Sequence, residues 1–233
     1  MEPLPRFEMP LCPGVSGLKT DAAEMMVSRI RANAARVDIE LAKPNCSPNL
    51  VVAFVDDGRA LLSKIAETRR ERFCTLSASE QAEILAEDAP VRVWNEIVVV
   101  GPTAHVRRCR WHVPSKSGGP SQMFLPTRRD IVSALVVFER DAVAGMTLVQ
   151  LADYATMRGL SHTRSATGDE PMPTILSLFA EGAQATEELT IFDLGYLRSL
   201  YWPVPNVSAV SKLLAVRRHT LQEQRRMAAL QRE

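Results

Sequence analysis

Apolar residues recur along this chain at two different periods, and they predict helices alternating with strands in the first half and mostly helices in the second. Ala22, Met26, Ile30 and Ala34 fall at helical spacing behind Asp21 and Glu24, a capping pair, so a first amphipathic helix is expected to run to about Val37. Residues 50–55 are a β-branched run bounded by Pro48 and Asp56-Asp57-Gly58, which predicts a buried strand, with a second helix over about 59–67. Ser77 and Glu80 form a capping box for a short helix to about Ala86, halted by Pro90. Residues 92–100 and 104–113 flank Gly101-Pro102 as the arms of a hairpin, and a Gly/Ser/Pro-rich loop follows at 116–122. Residues 131–138 are apolar enough to be a central strand.

From Thr147 onward helices and long loops dominate. Thr147 and Gln150 make a capping box, Leu148, Leu151 and Ala155 an inward stripe, and Gly159 stands where a left-handed residue would end the helix. Residues 174–179 are a short apolar segment. Thr190 with Asp193 caps a helix that ends at Pro203. A last helix over about 207–232 carries Arg217, Arg218, Arg225 and Arg226, and its apolar stripe is interrupted by the first two of these. Such a helix either packs by its first half or docks an anionic membrane surface or an acidic partner. Residues 1–203 are therefore read as one domain with an extended, proline-rich lead-in over 1–19 strapped to its surface, and residues 204–233 as a basic terminal helix.

Composition narrows the function classes. With 46% apolar residues the chain has ample material for a core. Its 28 Lys and Arg against 27 Asp and Glu, a net charge of +1, exclude a general nucleic-acid binder, which needs a concentrated basic face. No apolar run approaches the roughly eighteen residues that a membrane-spanning helix requires. The opening Met-Glu-Pro-Leu-Pro-Arg lacks the pattern of an export signal, so a periplasmic or secreted location rests on a leader upstream, and a cytoplasmic one applies otherwise. Cys12, Cys46, Cys74 and Cys109 form no CxxC pair. Cys12 and Cys46 flank the first helix in turn-rich contexts and either bridge it or stay reduced, and the pairing of Cys74 and Cys109 is open. Neither a phosphate-binding glycine loop nor a GxSxG elbow is present.

The chemistry that remains is in residues 151–162, Leu-Ala-Asp-Tyr-Ala-Thr-Met-Arg-Gly-Leu-Ser-His. Laid on the zinc motif HExxHxxGxxH, this stretch keeps Gly159 and His162, has Asp153 for the glutamate, and carries Ala152 and Thr156 in place of the two helix histidines. The segment Pro171-Met172-Pro173 beyond it is similar to a methionine turn, and the spacing of Leu189, Asp193, Leu197, Leu200 and Tyr201 is similar to a closing helix. Over residues 130–203 the chain thus resembles a degenerate zincin-like domain of the metzincin type.

The resemblance implies an α+β fold, a mixed sheet with the motif helix at about 147–158 and a helical C-terminal part. It also implies a lost metal site and no cofactor, since an alanine and a hydroxyl cannot replace two imidazoles on zinc. The expected function is that of a pseudoenzyme that binds or scaffolds a peptide or protein in a remnant groove between the strand at 131–138 and the motif helix. Asp153, Thr156 and His162 would line the floor of that groove, and Gly159 and Met172 would be structural. Two alternatives stand beside it. One is a hydrolase using Asp153 and His162 as acid and base, or a metal site rebuilt with His105 or His112; the other is a cell-envelope structural protein. As a plain structural residue, Asp153 would pair with Arg158 or Arg164.

Overall fold

The structure, a computed structural model, describes residues 2–68, 89–101, 125–166, 172–182, 186–202 and 206–230. The expected helix at 77–86, the second hairpin arm at 104–113 and the loop at 116–122 lie outside the described residues, as do Cys74, Cys109, His105 and His112. The described elements form a mixed sheet with helices, in agreement with an α+β organisation.

The most apolar run becomes the middle of the sheet. Strand β5 (Arg128–Glu139) pairs antiparallel with β4 (Val91–Val100) on one side. On its other side it pairs parallel with β3 (Leu50–Val55) and, nearer its start, with β1 (Arg6–Phe7). Strand β2 (Pro13–Ser16) runs parallel to β3, and helix α1 (Thr20–Arg36) makes the crossover that a parallel pair requires. The β4–β5 register slips between Glu96 and Ile97, where Val132 is the extra residue. Ile131 and Val132 are thereby both buried, in two separate apolar clusters.

One cluster is the main core. It takes Met26, Ile30 and Ala34 from α1, Leu50, Val52 and Phe54 from β3, and Ile131, Ala134, Val136 and Phe138 from β5. Helix α3 (Leu148–Ser161) completes it and packs along α1. Helix α2 (Gly58–Thr68) packs near the end of β5, where Gly58 lies against Arg92, Val137 and Glu139. Beyond α3 come α4 (Ile191–Tyr201) and α5 (Ala209–Leu230), which pack on each other. Gly195 sets their separation, since a Cβ there would lie 2.2 Å from Thr220 Oγ1 and 2.8 Å from its Cα.

The capping boxes at Thr147/Gln150 and Thr190/Asp193 form as their spacing predicts. Three local expectations are corrected. Lys19 is the N-cap of α1 and makes no side-chain capping bond, so Asp21 only places an acid in the first turn, where it complements the helix dipole. The lead-in is not laid over the surface, because β1 and β2 are sheet strands and Phe7, Leu11 and Cys12 are core residues. Gly159 does not end α3; the helix runs to Ser161 and His162 takes the left-handed turn at φ 49°. Gly159 is instead the point of contact with β3, where a Cβ would lie 2.5 Å from Leu50 Cδ1.

Cys12 and Cys46 are bridged, which ties the start of β2 to the loop before β3. No helix among the described residues is long and apolar enough to cross a membrane.

Candidate functional site

Every residue of α3 from Leu151 to Ser161 is buried, so the helix has no polar face to present. Its direction is set by packing. Ala152 belongs to the core, Thr156 lies beside Asn33 of α1, and Gly159 meets Leu50 of β3. These three positions recur at helical spacing on one side, and that side faces inward. Helix histidines at 152 and 156 would therefore enter the core rather than a cleft.

Asp153 is fully buried and saturated. Its Oδ1 accepts from Arg29 Nε at 2.8 Å and Asn33 Nδ2 at 2.6 Å. Its Oδ2 accepts from Arg29 Nη2 and from the Leu189 backbone N–H, both at 2.7 Å. Four donors on two oxygens account for all four lone-pair sites of a carboxylate. The Arg29 fork is bidentate and reaches on to Glu188 at 2.9 Å. The hydrogen bonds that Arg29 donates to Asp153, with Glu188 behind them, hold its guanidinium well above its ordinary pKa despite its burial. Asn33 Nδ2 also reaches Thr156 Oγ1 at 3.3 Å, and that hydroxyl donates to Ala152 O at 2.7 Å.

The partner of Asp153 is thus Arg29, one turn before Asn33 on α1, and not Arg158 or Arg164. Arg158 binds Tyr154 Oη at 2.8 Å and the Ser165 hydroxyl. The spacing of Arg29 and Asn33, four residues apart on a helix, was visible in the sequence, but nothing local ties it to a carboxylate 124 residues away.

His162 is elsewhere. It lies exposed beyond the helix end, and its Nδ1 is 3.3 Å from Oδ1 of Asn95 on β4, whose amide donates to Gly159 O at 2.9 Å. At about 1.5 Å per residue, the nine positions from Asp153 to His162 span roughly 13 Å along the axis. The structure therefore brings Asp153 and Thr156 together through Asn33 and leaves His162 apart. The expected groove is also filled. β5 has paired strands on both sides and its inward face is core, so an extended segment cannot add there. Met172 is 45% exposed and does not form a buried floor. The apolar contacts after it come from Ile175 and Leu178, in a turn capped by Thr174 and tied to buried Asp193 by Thr174 Oγ1 at 2.6 Å and Ile175 N at 2.9 Å.

A second charged cluster, not anticipated from the sequence, joins β1, β5, α4 and α5. Arg6 Nη1 donates to Leu200 O and Trp202 O, its Nε pairs with Glu8, and Arg128 pairs with Asp130 within β5. Lys212 of α5 is buried with Nζ 3.0 Å from Trp202 O. Burial, with Arg6 adding repulsion and Glu8 opposing it, lowers its pKa from 10.5 to about 8. Between those two values the unfolded chain holds the proton and the folded chain does not, so this group's contribution to stability rises with pH across that window. Lys212→Met is expected to stabilise the fold at pH 7 by about 1 kcal/mol once solvent screening is allowed for. The gain should disappear by pH 10.5, the unfolded value. Trp202 O keeps its bond from Arg6 at 2.7 Å in the variant. Denaturant titrations at both pH values check this.

Among the described residues no group of three or more His, Cys, Asp or Glu is placed to hold a metal ion. The open surface has shallow hollows on α1, about 390 Å³ beside Val27 and Arg31, and on α5, about 340 Å³ beside Leu214, Arg217 and Leu221. Set against known proteins, the chain matches no family model, no curated protein and no solved structure.

Proposed function

We propose that this chain is a non-catalytic binding or scaffolding protein of zincin-like descent that holds a peptide or protein partner on its outer surface. The observation that carries this reading is the condition of Asp153, whose carboxylate has four donors and no exposed surface. A general base needs a free lone pair within reach of a substrate proton, and this group has neither the lone pair nor the access. Ala152 brings no donor atom, and the Thr156 hydroxyl is engaged with Ala152 O and Asn33. The passage of the central strand β5 into α3 supports the descent, because it is the order of elements that the resemblance implies. Strand addition, closed at β5, remains open at β2, which among the described residues pairs with β3 alone. The Cys12–Cys46 bridge favours an oxidising compartment, as a cell-envelope protein would occupy.

The test is metal content. Purified protein dialysed against zinc and analysed by elemental analysis should carry far less than one zinc per chain, and a chelator should leave its thermal melt unchanged. One zinc per chain that disappears in His162→Ala would overturn the reading and restore the hydrolase.

A further inference from the structure

Helix α5 is packed with its sides reversed. Toward the body of the protein it turns Lys212, His219, Thr220 and Glu223 with Val216, all buried, and Glu223 pairs with Arg198. Toward solvent it turns Val210, Leu213, Leu214 and Leu221, with Leu214 77% exposed. An amphipathic helix that only had to cover a core would do the opposite. Arg217, Arg218, Arg225 and Arg226 lie exposed among or beside these leucines, and the one acid in the helix, Glu223, is on the buried side. Trp202, half exposed, stands at the edge of this face with Arg218 5.6 Å from its ring centre. The α5 hollow of about 340 Å³ has leucines for walls and Arg217, Arg218 and Arg225 around it.

We propose that the outward face of α5 docks on an anionic phospholipid bilayer, with the leucines entering the headgroup and acyl boundary and the arginines held by lipid phosphates. Charge decides the occupant. A second copy meeting this face symmetrically would bring its own arginines against these and be repelled. A phosphate-bearing surface meets the arginines with opposite charge and accepts the leucines and the tryptophan at the depth where such side chains settle. Helix α5 is about 33 Å long at 1.5 Å per residue, and lies along a surface rather than through one. The inference goes beyond the binding function proposed above and does not depend on it, since none of these residues belongs to α3 or to β2.

The full chain should co-sediment with vesicles of phosphatidylcholine mixed with phosphatidylglycerol and not with phosphatidylcholine alone, and should release as salt is raised. Each arginine near an anionic surface is worth about fivefold in affinity, so Arg217→Gln with Arg225→Gln should weaken binding roughly twenty-five-fold. Leu214→Asp with Leu221→Asp should abolish it. All four side chains point to solvent, so the variants should melt as the parent does. Absence of binding to the mixed vesicles overturns the proposal and leaves an acidic protein as the partner. Binding that survives in both double variants places the contact elsewhere and overturns it equally.

Discussion

Asp153→Ala should lower stability by about 3–5 kcal/mol, the usual consequence of removing one partner from a buried ion pair. For a chain of this size that is a fall in Tm of about 10 °C. The loss comes from the donors left behind. Asn33 Nδ2 and the Leu189 N–H are buried and lose a carboxylate oxygen, while Arg29, 26% exposed, keeps Glu188 and some water. Asp153→Asn should do little better, because one of its two ends must then turn an NH₂ group toward two donors. Replacing both partners, Asp153→Leu with Arg29→Met, should cost less than Asp153→Ala alone, since no charge is stranded. Thermal melts of the four proteins, completed into a double-mutant cycle, measure the coupling. The outcome bears on function as well as stability. A loss below about 1 kcal/mol would mean the carboxylate is not committed to the α1–α3 seam, and would return it to the list of catalytic groups.

How much of this was legible in the sequence depended on the range of the interaction. The two capping boxes concern residues three apart and were read from spacing alone. The central place of β5 was legible because a strand flanked on both sides and covered on its faces must be largely apolar, and 131–138 is so at every position but Ser133. The Cys12–Cys46 bridge was one of two readings left open by the turn chemistry around each thiol. The site was not legible in the same way. Periodicity tells which residues of a helix share a face, but only contrast between faces tells which one turns inward. Residues 151–161 are buried all round, so α3 gives no such contrast, and Thr156, expected with Asp153 and His162 on the floor of a groove, shares an inward face with Ala152 and Gly159. Asp153 paired with α1 rather than with its sequence neighbours because Arg29 presents a fork from across the seam. In α5 the spacing located an interrupted apolar stripe but left its orientation open, and the inward side is held by Lys212, Thr220 and Glu223. The lead-in was misjudged because prolines mark where a chain cannot donate to a sheet, yet β1 fits between Pro5 and Pro10 and β2 opens on Pro13, a first strand position where a missing N–H is tolerated.

Removing the Cys12–Cys46 bridge, as Cys12→Ser with Cys46→Ser or by reductant, should cost about 3–4 kcal/mol, the loop-closure entropy of a cross-link spanning 34 residues. The native structure around it should survive, because the backbone already closes the same loop. Leu11 N–H donates to Glu40 O and Ala42 N–H to Leu11 O, each within 2.9 Å, and Asn49 binds Cys12 through both its backbone and its side chain. The bridge therefore adds few native contacts of its own, and its effect is on the unfolded chain, which in its absence regains the freedom of the segment carrying α1. That segment contains Arg29 and Asn33, so the buried carboxylate of Asp153 depends on α1 staying docked. Two signatures follow. Reductant should lower the Tm of the parent by about 10 °C more than it lowers that of the double-serine variant. The denaturant m-value should rise in the variant, because its unfolded state is less compact. An unchanged melt in reductant would mean that the backbone bonds alone carry the closure, and that α1 is held on α3 by the Asp153 network and the core without help from the cross-link.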